Sequence, residues 1–258
     1  MRPCLLRILW MTFLPLLLLG STGCERLVSA TYKGSSAAFY SVVRPDRLAI
    51  HDYVAKGDYA AVRQYLRLYP KRVNSKANAD AGRRPLHVAV ENNDVKMVGL
   101  LIRLGANVSG RDHLGRTPLY LAMHAADPFE VVGLLLDAGA KSELSDRIGI
   151  APLHLAARRG RDELVRELVR YGAPVDAVTL GEGLTPLMLA VLDLDLEVAE
   201  VLLVHGADAN LPSKQGATAL DLAVQRRGSK IIERLRREGA VRGTGLFSGA
   251  EFEDIRFQ

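Results

Sequence analysis

Histidine is the side chain best suited to proton transfer or metal binding near neutral pH, and two of the six histidines share one place in a repeated phrase. His87 follows Pro-Leu at 85–86, and His154 follows Pro-Leu at 152–153. The remaining histidines, which are scattered, are His51, His113, His124 and His205. Because no pair has a metal-binding spacing such as H-E-x-x-H, we expect no metal site and no cofactor.

Other residues that could do chemistry form no recognised catalytic pattern. Asp193 and Asp195 are close carboxylates, as general acid–base catalysis needs, but a solvated turn explains them equally well. Glycines at 181 and 183 could approach a phosphate, yet the surrounding residues do not form a P-loop. The sequence also has no G-x-S-x-G elbow and no Rossmann fingerprint. We therefore predict no catalytic residue and no enzymatic activity.

A phrase of four residues returns along most of the chain, at 84–87, 117–120, 151–154, 185–188 and 218–221. Successive copies begin 33, 34, 34 and 33 residues apart, and a Gly-Ala pair follows each copy about 21 residues later. Self-similarity at such a period is the signature of an array whose units stack on their neighbours. One long array, rather than two globular domains, is therefore predicted for the 258 residues.

Within one copy the residues predict two short helices and a connecting finger. Pro152 suits the first position of a helix, because its missing N–H has no partner there in any case. Gly160 ends that helix, and Asp162 opens a second one. Apolar residues that recur at helical spacing in the second helix are Leu164, Val165, Leu168 and Val169.

The period and the Thr-Pro-Leu-His wording resemble the ankyrin repeat over residues 47–241. The resemblance implies an all-α repeat solenoid, an ankyrin-repeat array of helix-turn-helix units with β-hairpin-like fingers. It implies six units, of which 47–74 caps the N-terminus and the last, with Arg236 in an apolar slot, caps the C-terminus. It also implies that His87 and His154 bond to the backbone of the adjoining finger.

Several local expectations follow from single residues. Thr117 and Thr185 precede the proline and should cap the first helix of their units, whereas Arg84 and Ala151 have no side chain suited to this. Asp127 should cap the second helix of its unit, with Pro128 in the first turn. Leu194 stands in the slot of Gly160, where a left-handed leucine would be strained, so we expect the turn there to be rebuilt.

Residues 1–23 predict a secretory signal peptide, because Arg2 and Arg7 precede an apolar stretch at 8–19 and small residues at 21–23. The cysteine that follows, Cys24, resembles the lipidated residue of bacterial lipoproteins. Glu25 in place of aspartate implies the outer membrane, facing the periplasm, and 24–46 becomes a flexible tether. Ser21 stands where that family usually has leucine, so ordinary cleavage to a soluble periplasmic or secreted protein stays open.

Loss of the leader would remove Cys4, and Cys24 would carry lipid, which leaves no disulfide or thiolate site. The net charge of +5 is too small to indicate nucleic-acid binding. Residues 242–258 form a tail with three phenylalanines and several acidic residues. Two interpretations of this tail remain, a strap over the last unit or a short motif for a second partner.

Ankyrin families leave the fingertips and the exposed end of the first helix free for partners on the concave side. Mapped onto this chain, the implied partner-binding residues are Arg83, Leu114, Arg116, His124, Arg147, Ile148, Ile150, Arg158, Arg159, Leu184 and Leu192. The five aliphatic members are expected to be exposed and to serve as anchors among arginines. Because basic residues outnumber acidic ones in these slots, the expected partner is a protein with an acidic surface and an apolar anchor.

The sequence therefore predicts a non-catalytic interaction module, monomeric when unbound, that meets the membrane only through its N-terminal lipid and binds no nucleic acid. Within this class we expect inhibition of the partner, for example by an immunity protein that blocks a toxin enzyme acting in the periplasm. An envelope scaffold that supports periplasmic stress-response enzymes is the alternative.

Overall fold

The computed structural model describes residues 49–77 and 81–243. The predicted signal peptide 1–23, Cys24 and the tether 24–46 lie outside the described residues. The same is true of residues 244–258 of the tail, so neither interpretation of that tail is tested.

Twelve α-helices form six pairs, and residues 49–77 and 81–243 contain no β-strand. The first helices of the pairs are α1 (Ala49–Ala55), α3 (Pro85–Glu91), α5 (Pro118–Ala122), α7 (Pro152–Arg158), α9 (Pro186–Leu192) and α11 (Ala219–Gln225). The second helices are α2 (Tyr59–Leu68), α4 (Val95–Arg103), α6 (Phe129–Asp137), α8 (Asp162–Arg170), α10 (Leu196–Val204) and α12 (Ser229–Arg237). The predicted all-α repeat solenoid is confirmed.

The core is a continuous layer shared by neighbouring units. From α3 to α11 each first helix packs against the first helix of the next unit, and among the second helices α4 packs against α6, α8 against α10 and α10 against α12. Ala156 and Ala157 are fully buried, and the small side chains allow the first helices to approach closely. Leu153 and Leu168, one from each helix of a pair, are also fully buried. Each unit therefore covers apolar surface that its neighbour leaves open.

The residue directly before the first proline determines how the first helix of a unit is capped. The hydroxyl of Thr117 accepts from the N–H of Tyr120 at 3.2 Å, and that of Thr185 accepts from Met188 at 3.2 Å, which confirms the two predicted caps. In the unit of Ala151, the amide of Ala151 itself donates to Nδ1 of His154 at 3.1 Å. Because alanine has no side-chain acceptor, the His154 N–H donates to the backbone carbonyl of Ala151 at 3.0 Å instead.

The expectation of a rebuilt turn at Leu194 is wrong. Leu194 has φ 58°, close to the 64° of Gly160 in the same slot. Its N–H donates to the carbonyl of Val191 at 3.0 Å, as the end of helix α9 requires. Its side chain packs against Gly228, where an added Cβ would lie 2.6 Å from Leu194 Cδ2. These contacts hold leucine in a conformation that is unfavourable for it by itself.

The expected cap at Asp127 is also wrong. Helix α6 begins at Phe129, and Pro128 occupies the capping position without a side-chain hydrogen bond. The backbone carbonyl of Asp127 instead accepts from the Asn93 side chain at 2.8 Å. The extra residue in this loop moves the aspartate out of the slot in which Asp94 and Asp195 cap their helices.

The last unit replaces histidine with Asp221, which is buried. Its carboxylate accepts from the N–H of Thr218 at 3.0 Å and of Gly243 at 2.6 Å, and it pairs with Arg242 at 2.8 Å. Burial raises the pKa of Asp221, but the bonds from Arg242, Thr218 and Gly243 outweigh it and leave the pKa below its usual value. Asp221 thus fastens the chain that follows α12 to the last unit.

A threonine at position 151 should stabilise the third full unit. The backbone at Ala151 (φ −90°, ψ 161°) matches that at Thr185 (φ −90°, ψ 162°), so Ala151→Thr places a hydroxyl where it can accept from the His154 amide. We expect the free energy of unfolding to rise by about 1 kcal/mol in urea titrations. Ala151→Val, which has the same shape without the oxygen, is the control. An equal gain in both variants would show that packing, not capping, is responsible.

Candidate protein-binding surface

The fingers between units are joined into one strip by backbone hydrogen bonds. Each finger is a tight turn closed at its base, as where the Asp146 N–H donates to the Ile150 carbonyl at 3.0 Å. Neighbouring tips are then linked directly. The Arg147 N–H donates to the Leu114 carbonyl at 3.1 Å, and the Leu180 N–H donates to the Ile148 carbonyl at 3.0 Å. The fingertips therefore hold fixed spacings relative to one another.

This strip exposes three large aliphatic side chains. Leu114 is 49% exposed, Ile148 is 56% exposed and Leu180 is 63% exposed. The exposure predicted for Leu114 and Ile148 is confirmed, whereas Leu180 was missed. The finger of the fourth unit has one extra residue, so alignment with the other units placed Gly181 at the fingertip and passed over Leu180. The leucine directly before that glycine was the signal in the sequence that could have identified it.

The prediction that Ile150, Leu184 and Leu192 are exposed is wrong, since all three are buried. Ile150 and Leu184 lie on the returning arm of their fingers. There the Ile150 N–H donates to Asp146 Oδ1 at 2.9 Å, and the Leu184 N–H donates to Thr179 Oγ1 at 3.0 Å. Both side chains are almost fully buried, so they do not serve as anchors for a partner.

Leu192 is buried because the whole of helix α9 is buried from Pro186 to Leu192. This helix packs against the first helices on both sides, α7 and α11, and against its own second helix, α10. The end of the first helix, which is polar in the neighbouring units, is therefore part of the core in this one.

Ion pairs neutralise three of the five arginines predicted to bind a partner. Arg116 Nε lies 2.8 Å from the carboxylate of Asp112, whose side chain is fully buried. Arg158 Nε lies 2.8 Å from Asp193 on the next unit. Arg83 pairs with Glu91, which joins the first full finger to the end of helix α3. The predicted excess of positive charge is therefore smaller than the sequence count indicates.

Arg147 and Arg159 form no ion pair with an acidic side chain of the described residues. Arg147 is exposed at a fingertip, and its side chain covers Gly115, where an added Cβ would lie 3.3 Å from Arg147 Cγ. Arg159 donates to Nδ1 of His124 at 3.0 Å and to the His124 carbonyl at 3.3 Å. Partial burial, and then the charges of Arg159 and Arg116, lower the pKa of His124. His124 is therefore neutral at physiological pH and accepts from Arg159.

Three units each contain a buried histidine that bonds to the finger of the unit that follows. His87 Nδ1 accepts from the Arg84 N–H at 3.1 Å, while Nε2 donates to the Arg116 carbonyl at 3.3 Å. His154 Nε2 donates in the same way to Leu184 at 3.2 Å. The structural role implied for His87 and His154 is confirmed. His51 was missed, although it stands in the same slot, and its Nε2 lies 3.1 Å from the Arg83 carbonyl.

Burial is the main reason that the pKa of His87 falls from 6.5 to about 4, although the bond to Arg116 opposes the fall. The pKa of His154 falls to about 4 for the same reason, against the bonds to Leu184 and Ala177. Both rings are therefore neutral at physiological pH. A neutral ring with Nδ1 as acceptor and Nε2 as donor matches the partners observed.

These histidines should make stability depend on pH. Between pH 6.5 and about 4 the unfolded chain binds protons at His87 and His154 that the folded chain does not. The stability that these two groups contribute is therefore fully present above pH 6.5 and should be lost as the pH drops through that window, by roughly 3 kcal/mol for each histidine. Urea unfolding at a series of pH values measures the slope. His87→Gln with His154→Gln should flatten it, and an unchanged slope would contradict the assignment.

No group of three or more histidine, cysteine or acidic side chains is placed to hold a metal ion within residues 49–77 and 81–243. Over the same part of the chain, none of the helices combines the length and the apolar character needed to cross a membrane.

Comparison with known sequences agrees with this architecture. The family model described as ankyrin repeats (3 copies) matches residues 50–146 and 149–241. These two matches follow one another over almost all of the helix pairs seen in the structure.

Three similar proteins illustrate the range of the matches. The B-cell lymphoma 3 protein homolog of Mus musculus is 32% identical over 200 residues, which is 75% of this chain and 44% of that protein. A putative ankyrin repeat-containing protein of Treponema pallidum (strain Nichols) is 40% identical over 83 residues, or 32% of this chain and 28% of that protein. Protein phosphatase 1 regulatory subunit 27 of Homo sapiens is 32% identical over 82 residues, or 32% of this chain and 52% of that protein. The matches thus span about half or less of each relative.

Proposed function

Because the chain belongs to the ankyrin-repeat family, we propose that it is a non-catalytic module that holds a protein partner against its fingertip strip and the adjoining ends of the first helices. The observation that carries this proposal is the row of Leu114, Ile148 and Leu180, exposed on fingers that are bonded to one another. Aliphatic side chains held rigidly at an accessible surface lose little entropy on binding and gain the burial.

The partner has an apolar anchor that covers this row and an acidic surface beside it. Arg147 lies next to Ile148 at the same fingertip, and Arg159 lies at the end of helix α7. Neither forms an ion pair with another described residue, so each is available to a carboxylate of the partner. An interface of this kind combines central apolar contacts with charged contacts at its rim.

We further propose that the module is attached through Cys24 to the outer membrane, faces the periplasm and inhibits its partner, as an immunity protein inhibits a toxin enzyme. The basis is the leader sequence at 1–23, the cysteine after it and the absence of catalytic patterns in the sequence. A human relative is named a regulatory subunit of a phosphatase, which is a precedent for an ankyrin-repeat chain that acts on an enzyme.

Charged residues at two fingertips should abolish partner capture. Leu114→Asp with Ile148→Asp places carboxylates where the anchor binds, and both side chains are exposed, so the melting temperature should change little. We expect capture from envelope extracts to fall by at least about a hundredfold, since two buried anchors contribute roughly 1.5–3 kcal/mol each and every 1.4 kcal/mol is a factor of about ten. Val204→Asp, at a site 73% exposed at the end of α10, is the control.

Capture that survives the fingertip change would place the interface elsewhere and contradict the proposal. The number of captured proteins separates inhibition from scaffolding. A single stoichiometric enzyme whose activity falls on binding supports inhibition, whereas several resident envelope enzymes with unchanged activity support the scaffold.

Cys24→Ala should abolish lipid attachment. In a bacterial host fed labelled palmitate, we expect the wild-type chain to carry label and to sediment with membranes, and the variant to do neither. Cys4→Ala is the control, because it lies within the leader. A cleaved but unlabelled wild-type chain would show that an ordinary signal peptidase acts instead.

A further inference from the structure

The net charge of the described residues is concentrated in the first unit. Residues 50–77 contain six lysines and arginines against two aspartates, whereas residues 81–243 contain 21 basic and 21 acidic residues. The excess therefore lies at one end of the array, next to the segment that leads back to Cys24. In the chain, this unit is the one closest to Cys24, the proposed point of lipid attachment.

The second helices sharpen this asymmetry. Helices α2 and α4 carry only positive charges, at Arg63 and Arg67 and at Lys96 and Arg103. Helix α6, next in the stack, carries only the negative charges of Glu130 and Asp137. Helix α10 likewise carries only Glu197 and Glu200. The outer helices of the first two units thus differ in sign from α6 and α10. The last helix, α12, is also basic, but its Arg234 and Arg237 are paired with Glu238 and Glu233.

A groove of about 380 Å³ lies among α2, α4 and α6. Arg63, Lys96 and Arg103 line it together with Val95, Leu100 and Leu134, so a cationic rim surrounds an apolar floor. Gly99 leaves this part of the floor without a side chain. An added Cβ there would meet only Arg103 Nη1, at 3.8 Å, so the packing of the helices does not require a glycine at this position. Glycine is also a weak helix former, so it is not needed for the helix either.

The cations that line the groove are not neutralised by acidic side chains among the described residues. Arg63, Lys96 and Arg103 form no ion pair with residues 49–77 or 81–243. The carboxylate of Asp94, the residue before Val95, forms hydrogen bonds instead of an ion pair with these cations. It accepts from the Tyr59 hydroxyl at 2.9 and 2.8 Å and from the Met97 N–H at 2.9 Å. The cations are therefore available to an external anion.

Exposed leucines accompany these cations. Leu68, the last residue of α2, is 52% exposed, and Leu104, directly after α4, is 40% exposed. Cations combined with exposed aliphatic side chains suit the boundary between phosphate headgroups and acyl chains, where both kinds of side chain find a favourable environment.

We propose that the α2–α4 groove of the first two units docks on a bilayer surface that contains anionic phospholipids, with Arg63, Lys96 and Arg103 binding headgroup phosphates. The orientation rests on the proposed lipid anchor, but the docking itself does not require the lipid. This second contact revises the expectation that the chain meets the membrane through its N-terminus alone. It holds the array against the bilayer with the fingertip strip still free for a partner.

Vesicle co-sedimentation tests the docking. The full chain with Cys24→Ala, which removes the lipid, is mixed with phosphatidylcholine vesicles that contain or lack phosphatidylglycerol. We expect stronger partition onto the anionic vesicles and a loss of that preference as salt is raised. Because both vesicle types meet the same N-terminal segment, the difference between them reports on headgroup charge.

Two triple variants with the same net charge locate the contact. Arg63→Gln with Lys96→Gln and Arg103→Gln should lower partition onto anionic vesicles by about fivefold for each cation removed. The control, Lys230→Gln with Arg236→Gln and Arg237→Gln on α12, should change it less than about twofold. Circular dichroism confirms that both variants fold.

Equal losses in the two variants would show that only net charge matters and would overturn the proposal, as would the absence of any preference for anionic vesicles. Soluble polyglutamate that binds as tightly as the vesicles, through the same three residues, would assign the groove to an acidic protein instead. Partner capture is measured without vesicles and through Leu114 and Ile148, so failure of the docking leaves the proposed function standing, and the reverse also holds.

Discussion

The contact between neighbouring units is the constraint on which the rest of this structure depends. A unit of two short helices leaves apolar surface uncovered, and only the next unit covers it. His51, His87 and His154 reinforce that contact, because each buried ring bonds to the finger of the following unit. Without the stack the fingers would have no partners and no fixed spacing.

The surface proposed for binding depends on the same contact between units. Stacking places the fingertips side by side, and backbone bonds between them fix Leu114, Ile148 and Leu180 relative to one another. The strip is therefore organised before any partner arrives. The outer helices are stacked by the same packing, which brings the cations of α2 and α4 together around one groove. One array thus offers two distinct surfaces, one aliphatic and one cationic.

The candidate site was predicted only in part, and particular residues show why. The burial of Leu192 depends on helices in the units before and after it, and a slot rule taken from other units does not include them. Ile150 and Leu184 are aliphatic in a slot where Arg83 and Arg116 remain half-exposed, because the latter two find carboxylates. Leu194 keeps a strained φ because surrounding contacts outweigh its own preference.

The sequence by itself determined the number of units, the positions of the helices and the role of the repeated histidine, because these depend on local spacing and on a period that each copy repeats. Only the tertiary structure decided which aliphatic residues face solvent, which arginines are neutralised and that charges from separate helices share one groove. The ion pair between Arg158 and Asp193, and the groove lined by Arg63 and Lys96, join side chains that are more than 30 residues apart in the chain and meet only when the units stack.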